Sequence, residues 1–447
     1  MADPTAGGTH RADPTTTAAA IPDPVNQRVW IVNHHAAHPD QSAGTRHFAL
    51  ARQLVRRGYQ VTIFAASKGH HHTSAERRLP KRALYRVQAS DGVRFVWLRT
   101  TPYAGNNWRR QVNMLSFLAV FLVVQLRERK PDLVIGSTVH PFAALGGWMA
   151  ARLRRARFVF EVRDLWPQTL VDLGALRVGS PGERLLRVLE AFLVRRACAV
   201  VTVLPGMRDY LLKQHLPADH VAYIPNGAEL AAYEDLTPSE ELPPQVDACL
   251  AEIRRFRAEG RFVLGYLGAL GRVNRVDLVA DGAALTEARQ PGRVGVVIVG
   301  AGPERDEVLA AAARTSAATV CDPIPKQYVP LVLGELDAAV VHTTYTPVYK
   351  YGISFNKLFE YMAAGRPVVF ACESAYDPVR LAGAGITVAP DSAERLADAY
   401  LDLAALPAAE RAAMGAAGRT YVAREHDITR LGAMLADVVE GRLPQAG

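Results

Sequence analysis

Short apolar runs alternate with segments of helix length along this chain, and the alternation occurs twice. The first series opens with "RVWIVNHH" at residue 28, passes through "PDQSAGTRHFALARQLVRRGYQ", and reaches "VTIFAAS" at 61. It continues with "VRFVWL" (93–98), "DLVIGS" (132–137), "RFVFEV" (157–162) and "AVVTVL" (199–204). Strands separated by helices of that length specify parallel βαβ units. After "HVAYIPNGAEL" (220–230) and the Pro- and Glu-rich "DLTPSEELPPQ", a second series begins. Its runs are "RFVLGYLGAL" (261–270), "VGVVIVG" (294–300), "ATVCDP" (318–323), "DAAVVHT" (337–343), "PVVFA" (367–371) and "GITVAP" (385–390). The pattern predicts an α/β protein of two Rossmann-like domains, 25–218 and 219–407, hinged near Asn226-Gly227. A helical segment, 408–447, follows the last strand and is expected to cross back to the first domain. Ligands of such sheets bind beyond the carboxyl ends of the strands, so two of them facing each other share one cleft.

Composition supports this reading. Of 447 residues, 49% are hydrophobic and 21% charged, enough to fill a core in each domain. The 52 Lys plus Arg exceed the 44 Asp plus Glu, giving +8, with clusters such as "RLRRARF" (152–158) and "RRFR" (254–257). That balance suits an anionic partner or a membrane surface, but solvated arginine faces produce it too, and no nucleic acid partner is expected. Cys198, Cys249, Cys321 and Cys372 lie far apart without a CxxC pair, which argues against a disulfide scaffold and favours a reducing, cytoplasmic location. The first 24 residues hold no apolar run and read as a disordered tail. "MLSFLAVFLVVQL" (114–126) is almost wholly apolar, flanked by Arg109, Arg110, Arg127, Arg129 and Lys130. It is shorter than the roughly 20 residues that span a bilayer, so it is either a buried helix or one that dips into the inner membrane face.

Three glycine-bearing turns could approach a phosphate: "SAGTRH" (42–47), "GALGRVNR" (268–275) and "GAGPERDEV" (300–308). None is a GxGxxG or Walker motif; a tight turn and nothing more is the alternative for the first two, and good helix-start chemistry explains most of the third. "YGISFNKLFEYMAAGRPVVF" (351–370) is more specific. Ser354 suits an N-cap, Gly365 a C-terminal stop, and Pro367 cannot continue the helix. Leu358, Phe359 and Met362 face a core, whereas Asn356, Lys357 and Glu360 share the opposite side near the helix start, where anions are favoured. The alternative is a surface i, i+3 ion pair between Lys357 and Glu360, worth a few tenths of a kcal/mol. In the first half, Asp164 of "EVRDLWP" and His140 of "STVHPF" follow strands at the cleft edge. Asp164 could orient or deprotonate a hydroxyl, cap a helix, or pair with Arg163. His140 either faces the cleft or fills a turn. "HHAAH" (34–38) can touch an acceptor, "GHHH" (69–72) reads as a mobile loop, and neither is expected to hold zinc.

The series "IPNGAEL", "YLGALGRVNRVDLVADGAAL", "VGAGPERDEV" and "SFNKLFEYMAAGRPVVF", in this order, resembles the nucleotide-sugar domain of the retaining glycosyltransferases of family 4, which have the GT-B fold. "NHHAAHPDQSAGTRHFALARQLVRRGYQVTIFAAS" and "FEVRDLWPQTLVDLGAL" resemble the subgroup that adds N-acetylated amino sugars in bacterial glycan assembly. The resemblance runs from about residue 28 to 430. It implies transfer of a sugar from a nucleoside diphosphate donor, UDP-linked, to a hydroxyl of a glycan, glycolipid or metabolite acceptor, lipid-linked in one version. No further cofactor and no metal are implied, and the chain shows no acidic DxD pair. In the family, the acidic residue at Glu360 contacts the donor ribose and the adjacent helix start holds the diphosphate. Two departures stand out. The family's earlier glutamate falls at Gly352, and the usual Arg and Lys of the first C-terminal loop fall near Ala269 and Asn274.

The cations left to stabilise the leaving group are then Lys357, Arg272 and Arg275. The resulting expectation places Asp164, Lys357 and Arg272 at the chemistry. Gly268, Gly271, Arg275, Gly302, Ser354, Asn356 and Glu360 would join Lys357 around the donor, and Gly44, Thr45, Arg46, His140 and Arg163 would lie on the acceptor side. A sugar-nucleotide epimerase of similar build and a non-catalytic sugar-nucleotide binding protein are the competing readings.

Overall fold

The computed structural model describes residues 27–38, 45–67, 79–103, 108–138, 140–237 and 241–443. The N-terminal tail, Gly44 and the "GHHH" stretch lie outside the described residues. The first sheet comprises β1 (Arg28–Val32), β2 (Gln60–Ala66), β3 (Tyr85–Ser90), β4 (Val93–Leu98), β5 (Leu133–Ser137), β6 (Arg157–Val162), β7 (Ala199–Thr202) and β8 (Val221–Tyr223). Their spatial order is β3-β4-β2-β1-β5-β6-β7-β8. All neighbours are parallel except β3, which pairs antiparallel with β4 at the edge. The intervening Asp91-Gly92 has positive φ at both positions, 46° and 77°, as a two-residue hairpin requires. That Asp-Gly pair is the sequence signal for β3, a strand that apolar periodicity alone does not reveal.

The second sheet comprises β9 (Phe262–Leu267), β10 (Val294–Val299), β11 (Ala318–Cys321), β12 (Ala338–His342), β13 (Val368–Ala371) and β14 (Gly385–Val388), ordered β11-β10-β9-β12-β13-β14. Chain order reverses between β1 and β5 in one sheet and between β9 and β12 in the other, which is where a doubly wound sheet opens a crevice. Each sheet is covered on both faces by a buried apolar cluster.

The domain boundary drawn at 218 requires correction. Strand β8 lies beyond it yet belongs to the first sheet, because Val221–Tyr223 pair with β7 and Ala222 is wholly buried. The chain returns as well: helix Ile428–Glu440 packs on helix Arg46–Val55 of the first domain. A Cβ on Gly432 would lie 2.3 Å from Gln53 Cβ, so glycine permits this close approach. The outgoing and returning strands cross at one point. There Ala228 N–H donates to His426 O at 3.0 Å, and His426 Nδ1 donates to Asn226 O at 2.8 Å.

Helix Trp108–Val124 contains most of the apolar run. It buries Met114, Phe117, Phe121 and Val124 and exposes Trp108, Val112, Leu115 and Val123, so it is a core helix with an apolar outer face. Among the described residues no helix is long and apolar enough to cross a membrane.

Candidate active site

The loops after β9 and β12 and the start of helix Asn356–Ala363 converge at the switch point of the second sheet. Lys357 Nζ donates to Tyr266 Oη at 2.7 Å and to Asn274 Oδ1 at 3.0 Å, and lies 4.4 Å from the Tyr266 ring centroid. Tyr266 in turn donates to Ala269 O at 2.7 Å, and Asn274 Nδ2 donates to the same carbonyl at 2.9 Å. Thus, of the two positions where basic residues were missing, Asn274 supplies an acceptor for Lys357 and the Ala269 carbonyl holds both of the groups that Lys357 donates to. Burial lowers the Lys357 pKa to about 7. Its partners are neutral oxygens, so the ammonium gains no counter-charge from them.

Several groups hold this loop in place. His342 Nδ1 donates to Asn274 O at 3.0 Å while its Nε2 accepts from Asp391 N–H at 3.0 Å. Thr344 N–H donates to Val273 O at 2.8 Å. Tyr361 Oη accepts from Leu267 N–H at 2.7 Å and donates to Leu267 O at 2.8 Å. Tyr266, His342 and Tyr361 escape detection in the sequence because tyrosine and histidine in apolar runs read as core, and their partners are remote. Gly268 leaves room beside Lys357, whose Cδ lies 3.5 Å from where a Cβ would sit. Gly271 borders open space, with only Asn274 Nδ2 at 3.6 Å from its would-be Cβ. Gly302 has a packing reason to be glycine, since a Cβ would approach Leu270 O to 2.2 Å.

Glu360 pairs with Lys326, on the turn after β11, so the alternative Lys357–Glu360 ion pair does not form. Ser354 is not the N-cap. That position is Phe355, and Ser354 Oγ instead accepts from Asn226 N–H at 2.9 Å, tying the helix to the hinge. Asn356 opens the helix. The other end follows expectation, with Gly365 at φ 67° and N–H bonds from Gly365 to Met362 O and from Arg366 to Tyr361 O. Arg272 is exposed, with no ion-pair partner among the described residues. Arg275 is exposed and pairs with Asp277 at 2.8 Å, which offsets part of its charge.

On the opposite side, Asp164 follows β6 and is half-buried. Burial raises its pKa, with Arg163 opposing, and its charge is felt at Tyr349 of the second domain. It caps no helix, since the next helix, Gln168–Asp172, has Pro167 at its N-cap. Arg163 N–H donates to Thr138 Oγ1 at 2.9 Å. Thr45 precedes helix Arg46–Val55 without a side-chain cap bond.

Arg46, expected at the cleft, is buried. It donates to Glu161 at 3.1 Å, to Ile224 O at 2.7 Å and to Pro225 O. His47 Nε2 lies 2.6 Å from the other Glu161 oxygen. Burial opposes ionisation of Glu161, but His47 and Arg46 together hold its pKa well below the usual range. The physical reason is the helix phase: Arg46 and His47 fall on the inward turn and meet the Glu161 carboxylate on β6. His140 is also buried, with Nε2 2.8 Å from His34 Nδ1, and burial, then His35 and Arg110, lower its pKa.

The two domains touch where the family's earlier glutamate would fall. Gly352 has φ 103°, and a Cβ there would come within 2.5 Å of Pro205 Cδ. Gly206 N–H donates to Tyr351 O at 2.9 Å, and Val348 and Tyr351 join the first domain's core. An acidic side chain at 352 has no space in this arrangement.

Two Rossmann-like domains with their switch points at a common interface define the GT-B architecture of nucleotide-sugar glycosyltransferases. Family models agree in both halves: a "Glycosyl transferase 4-like domain" matches residues 43–227 and "Glycosyl transferases group 1" matches 261–405. The chain belongs to the GT4-like glycosyltransferases. It is similar to the putative colanic acid biosynthesis glycosyl transferase WcaI of Escherichia coli K12, 23% identical over 236 residues. That match covers 52% of this chain and spans about half, 56%, of the relative. Among solved structures, sucrose-phosphate synthase of Thermosynechococcus elongatus superposes with TM-score 0.68 at 17% identity, covering 93% of this chain and 98% of that one. Anabaena HepE in complex with UDP and glucose gives 0.64 at 14% identity, covering 93% and 100%.

Proposed function

We propose that this chain transfers a sugar of the N-acetylhexosamine type from a UDP-linked donor to a hydroxyl acceptor, with retention at the anomeric carbon. The observation that carries the reading is Lys357: a lysine seated by neutral oxygens beside Gly268 at the switch point of the second sheet, suited to a diphosphate. Gly271, Asn356 and Arg272 would line the same space, and Glu360 would receive the ribose hydroxyls. Charge builds on the departing diphosphate as the anomeric bond breaks, and a preorganised ammonium favours that state over the ground state. Asp164, from the other wall, would orient the attacking hydroxyl. Hydrolase-like paired carboxylates are not part of this scheme, and neither is magnesium or manganese at the diphosphate. The amino-sugar preference rests on the "FEVRDLWPQTLVDLGAL" resemblance, and the uridine preference is supported by HepE in complex with UDP-glucose.

The acceptor is read as lipid-linked, met at the inner face of a membrane. Trp108, Val112 and Leu115 are exposed on one helix, Met149 and Leu153 on helix Pro141–Arg154, and Leu185 and Val188 on helix Pro181–Arg196. The three helices pack side by side, and Arg109, Arg152 and Arg155 stand exposed among these residues. Apolar side chains ringed by cations fit an anionic lipid surface.

The test is incubation with a panel of labelled nucleotide sugars and a polyprenyl-phosphate-linked acceptor. UDP release that needs acceptor and yields an α-configured product from an α-donor supports the reading. Donor isomerisation without acceptor would identify an epimerase, and binding without turnover a silent receptor.

A further inference from the structure

We propose that His34, His35 and His140 form a three-imidazole site for one zinc-class divalent ion at the switch point of the first sheet, with a fourth position open to an oxygen ligand. This inference is independent of the proposed donor chemistry. His34 and His35 leave the end of β1 and His140 the end of β5, so the reversal of strand order brings together residues 106 apart in sequence. One ring nitrogen from each lies within 4.8 Å of the other two.

A tetrahedral ion with bonds of about 2.0–2.1 Å needs its ligand nitrogens roughly 3.3 Å apart. His34 Nδ1 and His140 Nε2 are 2.8 Å apart, so an ion requires that pair to open by about 0.5 Å and the His35 ring to settle at the same separation from both, within the 4.8 Å that now bounds the three. The far side of His34 is prepared as well. Its other nitrogen, Nε2, is buried without a hydrogen-bond partner, and so is Oδ1 of Asn113, whose side chain acts on His34; an N–H to such an oxygen is how ligating histidines are oriented. Phe117 packs on the His34 ring at 4.8 Å and shields the site from one side, while half-buried His35 leaves it approachable.

The surroundings also specify the fourth ligand. Arg110 lies close enough to act on His34 and His140, and His140 is the N-cap of helix Pro141–Arg154, whose start is electropositive. Both oppose a bare divalent cation among neutral ligands. An anionic oxygen in the fourth position, hydroxide or phosphate, offsets that field. Three imidazoles select zinc, cobalt or nickel over magnesium or calcium, which prefer oxygen cages. The sequence alone predicts no zinc at "HHAAH", because adjacency of His34 and His35 reveals nothing about His140.

The test is calorimetric titration of the full-length, chelator-treated protein with zinc chloride, and with cobalt chloride for its visible spectrum. The expected result is a saturable equivalent per chain at micromolar or tighter affinity, a tetrahedral cobalt spectrum, and tightening on adding inorganic phosphate. His140→Ala and His35→Ala should each lose that equivalent or weaken it at least about tenfold. Should His140→Ala fail to fold, His35→Ala decides, since its side chain is only half-buried. Absence of saturable binding, or an equivalent that survives in the folded variants with unchanged affinity, would overturn the site.

Discussion

The two switch points employ cations in opposite ways. At the second sheet, Lys357 is held by a tyrosine hydroxyl and an asparagine amide, so its charge is available to a ligand. At the first, Arg46 is joined to Glu161 and to the carbonyls of Ile224 and Pro225, and its charge fastens the strand ends to the hinge. Both are basic residues near a helix start after a glycine-bearing or polar loop. The difference is whether a carboxylate stands within reach. Where one does, a buried cation becomes structural, and where none does, it is poised for an anionic substrate.

The largest effect separating the two edges should come from Arg46→Ala. Removing it leaves the buried Glu161 carboxylate with His47 as its hydrogen-bonded partner and only the more distant charge of Arg163, and loss of one partner of a buried pair costs about 3–5 kcal/mol. Thermal unfolding should show a large drop in Tm. Retention of wild-type Tm with lost turnover would return Arg46 to the cleft. Lys357→Ala should do the reverse, lowering kcat on the order of 10²–10³-fold with the fold intact, as expected for removal of a group that stabilises developing charge. Circular dichroism and steady-state kinetics on the same preparation check both halves of that statement.

The third effect concerns pH. With Lys357 at a pKa of about 7 in the free protein, binding of a diphosphate must be accompanied by protonation above that pH. Affinity for UDP should therefore be highest below pH 7 and fall by up to about tenfold per unit above it, until the raised pKa of the complex is reached. Calorimetry in buffers of different ionisation enthalpy should register proton uptake at pH 8, and Lys357→Met should abolish it. A flat profile across pH 6–9 would place the ammonium away from the diphosphate. The smallest effect is expected at Glu360 and its partner. Glu360→Gln should raise the donor KM by about tenfold, roughly 1.4 kcal/mol, from weakened hydrogen bonds to charged oxygens. Lys326→Ala should shift the same parameter less, because it acts only by positioning Glu360. Equal loss of kcat in both variants would contradict a ribose-binding role.

Much of the framework is legible in the amino-acid sequence. Tandem βαβ patterning marks both sheets because apolar runs of strand length and intervening helices are local features. Helix Asn356–Ala363 ends where Gly365 and Pro367 require it to. Errors cluster where a local signal has a competing long-range partner. Ser354 is a good capping residue, yet its hydroxyl serves Asn226, 128 positions away. Glu360 sits at helical spacing from Lys357 but meets Lys326 instead. The apolar run 114–126 could be placed neither wholly inside nor outside by composition, since one face of the helix is core and the other is exposed.

By itself, then, the sequence determined the elements: two parallel α/β layers, the glycine turns that follow their strands, and the polar residues brought to strand ends. These depend on backbone conformation and periodicity, which neighbours a few residues apart control. Tertiary structure decided the chemistry of each polar group. Lys357 owes its seat to Asn274, 83 residues earlier, and Arg46 its burial to Ile224, 178 residues later. His140 meets His34 across 106 residues, and Gly352 lacks a side chain because Pro205 of the other domain occupies that space. The charge and pKa of a group depend on what lies within a few ångströms of it, and only folding brings those partners together.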